Sequence, residues 1–212
     1  IGPALNIAAG DAGITVAVID TGIGFHHPEL AGRLTAGYDY INNDDDAGDD
    51  NGHGTHVAAI IAAGLNGVGM AGVCPQCKLM PIKALNGQNG GSMSAVAQGI
   101  LYAVDHGAKV INLSLGSPVT SATLESAVAY AQAHDVLVVA AAGNQGSDVS
   151  FYPASLPYVI AVGGTNQNDA RWARSNYGDF IDVVAPAVDI YSAYYDNSTG
   201  SSIYAYMSGT SM

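Results

Sequence analysis

The chain is organised around a Gly- and Asn-containing turn that runs into a small apolar helix, Asp50-Asn51-Gly52-His53-Gly54-Thr55-His56-Val57-Ala58-Ala59-Ile60-Ile61. This stretch is predicted to deliver the imidazole of His56 at the start of the helix. A histidine in the first turn of a buried helix has a fixed backbone and few rotamers, which suits a group that takes and returns a proton. The alternative, for a histidine taken alone, is a hydrogen-bonded core residue. Two further stretches favour the first interpretation: Val16 to Gly22 ends a strand with a carboxylate, and Ser208 to Met212 carries a hydroxyl on a Gly-containing turn.

Near-continuous apolar runs predict strands at residues 14–20, 79–85, 110–115, 136–142, 159–162 and 181–185. Such runs are typical of strands that are buried on both faces of a parallel sheet. Between them, apolar periodicity predicts helices over 54–63, 92–106 and 121–134, with Ser92 and Ser121 as N-caps and Gly107 as a C-terminal stop. The alternation predicts an α/β fold, a three-layer, doubly wound, mostly parallel β-sheet with helices on both faces.

Polar groups and glycines follow several of these predicted strands. Asp20 ends the first strand, Ser114-Leu115-Gly116-Ser117 ends another, and Ala141-Ala142-Gly143-Asn144 follows a third. Ligands of such sheets bind beyond the carboxyl ends of the strands. Each glycine could merely turn the chain, but that interpretation does not explain why they share one edge.

Size and charge limit the classes of protein. The chain has 212 residues and 49% apolar content, which predicts a single domain over residues 1–212. Six Lys and Arg against 18 Asp and Glu give a formal net charge of -12, which argues against nucleic acid and anionic membranes as partners. No apolar run approaches the ~20 residues of a membrane span, and no signal-type segment follows Ile1. We therefore expect a soluble, processed protein without a membrane partner.

Six of the 18 carboxylates fall within a dozen residues: Asp39, Asp44, Asp45, Asp46, Asp49 and Asp50. Such crowding is repulsive unless a cation is bound, so a Ca²⁺ site is one interpretation. An exposed acidic loop without an ion is the other.

The cysteines are Cys74 and Cys77, in the segment Cys74-Pro75-Gln76-Cys77. A redox pair would be followed by a helix, whereas residues 78–85 look like a strand, and a zinc site would need two more ligands at familiar spacing. We expect a structural disulfide formed in an oxidising compartment, with two free thiols as the alternative.

Asp20, His56 and Ser211 follow one another in the order Asp, His, Ser that is typical of subtilisin. The sequence resembles the subtilisin-like serine proteases (subtilases), and their thermitase-like branch most, over essentially its whole length. Five motifs in order carry the resemblance: Val18-Ile19-Asp20-Thr21-Gly22, His53-Gly54-Thr55-His56-Val57-Ala58, Asn112-Leu113-Ser114-Leu115-Gly116, Ala140-Ala141-Ala142-Gly143-Asn144 and Ser208-Gly209-Thr210-Ser211-Met212.

The resemblance implies a subtilisin-like fold and a serine endopeptidase that acts on polypeptides through an acyl-enzyme. Ser211 would be the nucleophile, His56 the general base, and Asp20 the carboxylate that orients the imidazole. Asn144 and the Ser211 N–H would donate to the oxyanion.

The resemblance also places a substrate peptide as an added strand between two backbone edges, Asn89-Gly90-Gly91 and Ser114-Leu115-Gly116. The pocket for the P1 side chain would lie between residues 114–116 and Ala141-Ala142-Gly143. Phe151 at its floor would make this pocket shallower than in relatives of broad specificity.

By the same resemblance, Asp39, Asn42, Asp44 and Asp46 look like a structural Ca²⁺ loop, and Glu29 with carbonyls of residues 65–70 looks like a second, shortened one. The resemblance implies a secreted, monomeric enzyme whose partners include a propeptide or protein inhibitor. Relatives continue beyond Ser211-Met212 into a long buried helix, so the chain looks truncated there.

Two rival functions follow from the same residues. A subtilase-like binding or structural module would be inert because the helix after Ser211 is missing. An aspartic protease would use the Asp20-Thr21-Gly22 motif, but it requires a second such motif and an all-β fold.

Overall fold

The fold is known from a computed structural model, which describes residues 5–6 and 8–212. Residues 1–4 and 7, which the single-domain prediction includes, lie outside the described residues. The strands are β1 (Thr15–Asp20), β2 (Tyr38–Asp39), β3 (Lys78–Lys83), β4 (Val110–Leu113), β5 (Leu137–Ala141), β6 (Val159–Thr165), β7 (Val183–Pro186), β8 (Ile190–Asp196) and β9 (Ser201–Met207). The helices are α1 (His53–Ala62), α2 (Met93–Asp105) and α3 (Ala122–Ala133), and a short 3-10 helix spans Pro28–Leu30.

Strands β1 to β7 form one parallel sheet in the order β2-β3-β1-β4-β5-β6-β7. Strand β1 lies near the middle of the sheet. From there the chain passes to the edge strand β2, returns through β3 beside β1, and then adds β4 to β7 on the other side. The predicted doubly wound topology is therefore confirmed. Strands β8 and β9 form a separate antiparallel hairpin. The predicted helices end within one residue of their observed limits.

Alternate residues of β1 face two different cores, which explains its continuous apolar run. Ala17 and Ile19 pack with α2, α3 and the neighbouring strands, whereas Val16 and Val18 pack with α1 on the opposite face. The sheet therefore lies between helices on both faces, as predicted.

Local sequence sets the ends of the helices. The hydroxyls of Ser92 and Ser121 accept hydrogen bonds from the backbone N–H groups of Ala95 and Leu124, so both predicted N-caps are confirmed. Gly107 follows α2 with a φ of 83°, a left-handed conformation that favours glycine. Helix α1 instead starts after Gly52, whose φ is 105° and which offers no side-chain cap.

Candidate active site

A carboxylate and an imidazole meet where β1 ends. The Oδ1 atom of Asp20 lies 2.7 Å from Nδ1 of His53, and both residues are buried. The backbone N–H of Thr21 donates to the same Oδ1 at 2.7 Å. Because a carboxylate only accepts, His53 donates through Nδ1–H and keeps Nε2 free as an acceptor in its neutral form.

Close approach of backbone explains why His53 reaches this carboxylate. A Cβ at Gly54 would collide with the carbonyl oxygen of Gly22, so only glycine lets the first turn of α1 lie this close to the end of β1. The N–H of Gly54 also donates to Thr21 Oγ1 at 3.0 Å.

A second carboxylate, Asp49, holds the two segments together. Its Oδ1 accepts from Thr21 Oγ1 at 2.8 Å, and its Oδ2 accepts from the N–H and the hydroxyl of Thr55 in α1. The buried Lys83 ammonium donates to the carbonyl of Thr21 at 2.7 Å and to Asp50 at 2.6 Å. The Asp20–His53 pair is therefore fixed by bonds on both of its sides.

The prediction that His56 lies beside Asp20 is wrong. His56 is fully buried one turn further along α1, and its Nε2 lies 3.1 Å from the carbonyl oxygen of Ile190 and 3.2 Å from that of Ala205. Three residues advance a helix by about 4.5 Å, which moves His56 past the end of β1 and under the β8–β9 hairpin. The sequence offered one usable signal: His53 directly precedes Gly54, the residue that permits contact with the strand.

The two imidazoles have opposite pKa shifts. Burial opposes the charged form of His53, but the charge and hydrogen bond of Asp20, assisted by Asp49, outweigh it and raise the pKa of His53 above 6.5. For His56, burial dominates over its bonds to the carbonyls of Ala205 and Ile190, and the nearby His53 adds repulsion, so its pKa is lowered. His53 is thus the imidazole that is stabilised as an imidazolium.

Ser211 lies at the end of β4 rather than against an imidazole. Its Oγ donates to the carbonyl oxygen of Ser114 at 3.2 Å, and Ser114 Oγ donates back to the carbonyl of Ser211 at 2.7 Å. Among the residues that the structure describes, no hydrogen bond joins Ser211 Oγ to His53 or His56. Catalytic hydrogen bonds are often long or poorly aligned in structures without substrate, so this arrangement does not rule Ser211 out as the nucleophile.

The side chain of Asn144 is oriented by the residue before Ser211. Its Oδ1 accepts from the N–H of Thr210 at 2.9 Å and from Thr210 Oγ1 at 3.0 Å, which leaves the Nδ2 donors free. The turn that carries Asn144 is held by the buried Asn176, which donates to the carbonyl of Ala142 at 2.9 Å and accepts from the N–H of Gln145 at 3.0 Å. Neither support was predicted from the sequence. Thr210 lies within the motif Ser208-Gly209-Thr210-Ser211-Met212, whereas nothing near Asn176 in the chain points to this contact.

The two predicted substrate edges face one groove. A cavity of about 330 Å³ is lined on one side by Asn89, Gly90 and Gly91 and on the other by Leu115 and Gly116. A smaller cavity of about 160 Å³ is lined by Ser114, Ala141 and Ser211 together with residues of β5, β6 and β7.

The ring of Phe151 lies between the two predicted walls of the P1 pocket. A Cβ at Gly116 would collide with this ring, and a Cβ at Gly143 would lie 3.0 Å from its Cδ1. The ring therefore occupies space between residues 114–116 and 141–143 that glycines leave open.

The predicted calcium ligands use their oxygens within the protein. Asp39 is buried and accepts from the N–H groups of Ile41 and Asn42 and from the Asn42 amide. Asp44 and Asp46 each accept a backbone N–H two residues ahead. Across residues 5–6 and 8–212, no three His, Cys, Asp or Glu side chains are grouped to hold a metal ion. As arranged, these carboxylates are bonded within the loop.

Glu29, assigned by the resemblance to a second calcium site, is buried and bound by protein donors. Its carboxylate accepts from Tyr204 Oη at 2.8 Å, the N–H of Met70 at 3.0 Å and Asn66 Nδ2 at 3.2 Å. Burial and the bond to Glu29 raise the pKa of Tyr204 to about 12. The Glu29 carboxylate is therefore bonded to three donors of the protein.

Cys74 and Cys77 are bonded to each other, so the predicted disulfide is confirmed over the alternative of two free thiols. The Cys74 N–H donates to the carbonyl of Ile61 in α1 at 2.8 Å. This backbone bond holds the disulfide-closed loop against the end of α1, in the segment that leads to β3.

The fold and the site define the class, an α/β protein with a buried Asp–His pair at the carboxyl edge of its parallel sheet. The sequence profile of the subtilase family matches residues 11–212, and the chain belongs to this family. The expected family membership is thus confirmed.

Two relatives and one solved structure support the assignment. The thermophilic serine proteinase of Bacillus sp. (strain AK1) is 49% identical over 210 residues, which are 99% of this chain and 51% of that protein. Thermitase of Thermoactinomyces vulgaris is 45% identical over 99% of this chain and 73% of its own length. The crystal structure of a cold adapted subtilisin-like serine proteinase superposes with a TM-score of 0.85 at 37% identity, covering 95% of this chain and 72% of that one. The chain thus spans about half the length of the first relative.

None of the helices in the described ranges combines the length and the apolar character that crossing a membrane requires.

Proposed function

We propose that the protein is a serine endopeptidase in which Ser211 is the nucleophile, His53 the general base and Asp20 the carboxylate that orients it. One observation carries this assignment: the 2.7 Å contact between Asp20 Oδ1 and His53 Nδ1 in a buried setting. Membership of a family whose matched members are named serine proteinases agrees with it.

The proton transfers follow from the tautomer of His53. With Nδ1–H donated to Asp20, the free Nε2 takes the proton of Ser211 Oγ while that oxygen attacks the scissile carbonyl. The imidazolium formed is stabilised by Asp20 and then protonates the leaving amine. Water next attacks the acyl-enzyme, with His53 again acting as the base. The raised pKa of His53 favours the charged intermediate.

Negative charge on the tetrahedral intermediate would be stabilised by Asn144 Nδ2 and the N–H of Ser211. The support is the fixed orientation of the Asn144 amide, whose oxygen is already bound by Thr210. Preorganised donors of this kind contribute more than donors that must reorient during the reaction. Replacing Asn144 with Ala is therefore expected to lower kcat by about 10²–10³-fold.

Substrates would be extended peptides laid between residues 89–91 and 114–116, with a small residue at P1. The groove between the two edges supports an extended peptide, and the position of the Phe151 ring supports a small P1 residue. In peptide p-nitroanilides that differ only at P1, Ala is expected to be cleaved faster than Phe, and Phe151→Ala is expected to reverse that order. Equal rates for both substrates in the unmodified enzyme would contradict the assignment.

The experiment that tests the function is labelling of the protein with a fluorophosphonate. We expect stoichiometric labelling at Ser211, identified by peptide mapping, with loss of peptide hydrolysis in parallel. Ser211→Ala is the matched control and should neither be labelled nor hydrolyse peptides. Correctly folded protein that is inert toward both reagents would favour the non-catalytic alternative. Inhibition by a statine-type peptide with an acid optimum would favour the aspartic mechanism.

We further infer a secreted monomer whose partners include a propeptide or protein inhibitor. The disulfide between Cys74 and Cys77 supports an oxidising compartment. Gel filtration with light scattering tests the monomeric state.

Calcium stays a proposal supported only by the six clustered carboxylates. A higher melting temperature in Ca²⁺ than in EDTA, abolished by Asp44→Asn with Asp46→Asn, would support it. Equal melting temperatures would exclude it.

A further inference from the structure

His56 is a buried imidazole that the proposed chemistry does not use. It has no exposed surface, and its Nε2 lies within hydrogen-bond distance of the carbonyl oxygens of Ile190 in β8 and Ala205 in β9. Since carbonyl oxygens only accept, Nε2 carries the hydrogen and shares it between both strands. His56 therefore bonds to two strands from one helix.

The hairpin also donates back to the helix. Ser192 Oγ in β8 donates to the carbonyl oxygen of His56 at 2.8 Å, and Tyr194 Oη donates to the carbonyl of Asn51, just before α1, at 2.8 Å. Ser192 pairs with Ala205 across the hairpin. The residue that donates to His56 and one of the residues that accept from it are therefore neighbours in the hairpin. Helix and hairpin are thus joined by reciprocal hydrogen bonds around one residue.

Both ends of this connection lead to proposed catalytic groups. His53 lies three residues before His56 on the same helix, and β9 ends at Met207, four residues before Ser211. Between Met207 and Ser211, Ser208 Oγ accepts from the N–H of Asp189 at 2.9 Å and the N–H of Gly209 donates to Ala187 at 2.9 Å. The segment is therefore held against the chain that precedes β8.

We propose that His56 is a positioning residue that sets the separation of His53 and Ser211 by bonding α1 to both strands of the hairpin. The proposal rests on the proposed function, because it acts on the groups assigned there. It predicts an effect of His56 on the chemical step, without contact with the substrate. Small displacements of reacting groups, of about 1 Å, can cost on the order of 10²-fold in rate.

The structure offers a matched control in His27. This histidine is also buried, and its Nε2 lies 2.9 Å from the carbonyl oxygen of Ile203 in the same strand β9. It belongs to the segment before the 3-10 helix and not to α1. Removing its hydrogen bond should therefore disturb the hairpin without disturbing the link to His53.

The experiment compares the variants His56→Leu, His56→Gln and His27→Leu with the unmodified enzyme. Active sites are counted with the fluorophosphonate, and kcat and KM are measured per active site on one peptide p-nitroanilide. We expect His56→Leu to lower kcat about tenfold or more with KM within about twofold. His56→Gln, whose amide can reach the same carbonyls, should recover most of that loss. His27→Leu should lower the melting temperature and leave kcat per active site unchanged.

Two results would overturn the proposal: an unchanged kcat per active site in His56→Leu, or an equal loss of kcat in His27→Leu. If His56→Leu does not fold, Ser192→Ala decides, because it removes only the reciprocal hydroxyl. A lowered kcat in that variant supports the proposal and an unchanged kcat overturns it. An unmodified enzyme that is neither labelled nor active would instead overturn the proposed function, so the two failures are distinguishable.

Discussion

The first turn of α1 and the turn that follows it each hold one buried histidine, in opposite environments. His53 faces the end of β1 and donates to a carboxylate, whereas His56 faces the hairpin and lies against two carbonyl oxygens. The pKa of His53 is raised by Asp20 against the effect of burial, and that of His56 is lowered by burial. The two residues are of one type and three positions apart.

The comparison shows that the partner, and not the position on a helix, gives a histidine its role. A carboxylate stabilises the imidazolium that a general base must become, and neutral carbonyls in a buried setting stabilise it less. Four ways of testing the comparison follow, in order of decreasing effect.

Replacing the two histidines separately should give the largest difference, which is a difference in kcat. His53→Ala is expected to lower kcat on the order of 10⁴- to 10⁶-fold, the range found for the histidine of a Ser–His–Asp triad. His56→Ala should leave a far larger residual rate, because it removes no reacting group. Both are measured on a peptide p-nitroanilide, with circular dichroism to verify folding. The comparison fails if His56→Ala proves the more damaging change.

Asp20→Asn should separate the effect of the charge of Asp20 on kcat from the effect of its shape. The amide is close to the carboxylate in size but stabilises neither the Nδ1–H tautomer nor the imidazolium, so we expect kcat to fall by about 10⁴-fold. Binding of substrate should change little, since Asp20 is buried away from the groove. Presteady-state acylation rates give the measurement. A loss seen mainly in KM would show that Asp20 serves another purpose.

Asp49→Asn should change the pKa of His53 more than the pKa of His56. The charge of Asp49 contributes to the raised pKa of His53 but is not among the causes of the shift at His56. The pKa of His53 should therefore fall, while that of His56 should change less, because Asp49 reaches it only through His53. NMR titration of the two imidazole C–H signals resolves both values, and parallel shifts would contradict the contrast.

The pH dependence of stability should carry opposite contributions from the two residues. A raised pKa at His53 gives stability that is present below pH 6.5 and lost as the pH rises through the folded-state pKa. A lowered pKa at His56 gives stability that is present above pH 6.5 and lost as the pH falls through the folded-state pKa.

Melting temperatures measured at pH values below and above 6.5 test these opposite contributions of His53 and His56. His56→Gln should reduce the loss of stability on the acid side relative to the unmodified protein. If the loss of stability at low pH is the same in this variant as in the unmodified protein, His56 does not cause it.

The sequence predicted the helices and every strand of the sheet except β2, because their signals are local. Apolar runs marked these strands, although β7 is an exposed edge strand and not buried on both faces, and Ser92 and Ser121 capped the helices as expected. It did not predict the β8–β9 hairpin. In β8, the adjacent residues Ser192 and Ala193 are both fully buried, so the two-residue alternation of a strand is lost. Such burial arises from contacts with α1 and other distant segments.

What the sequence alone determined was the set of chemical groups and the edge at which they gather. Strand ends fix Asp20 and Ser114, and short motifs supply a histidine, an amide and a hydroxyl. Only the tertiary structure decided which imidazole meets the carboxylate. That choice depends on the contact that Gly54 allows between helix and strand and on the hairpin that covers His56, and both contacts join segments that are far apart in the chain.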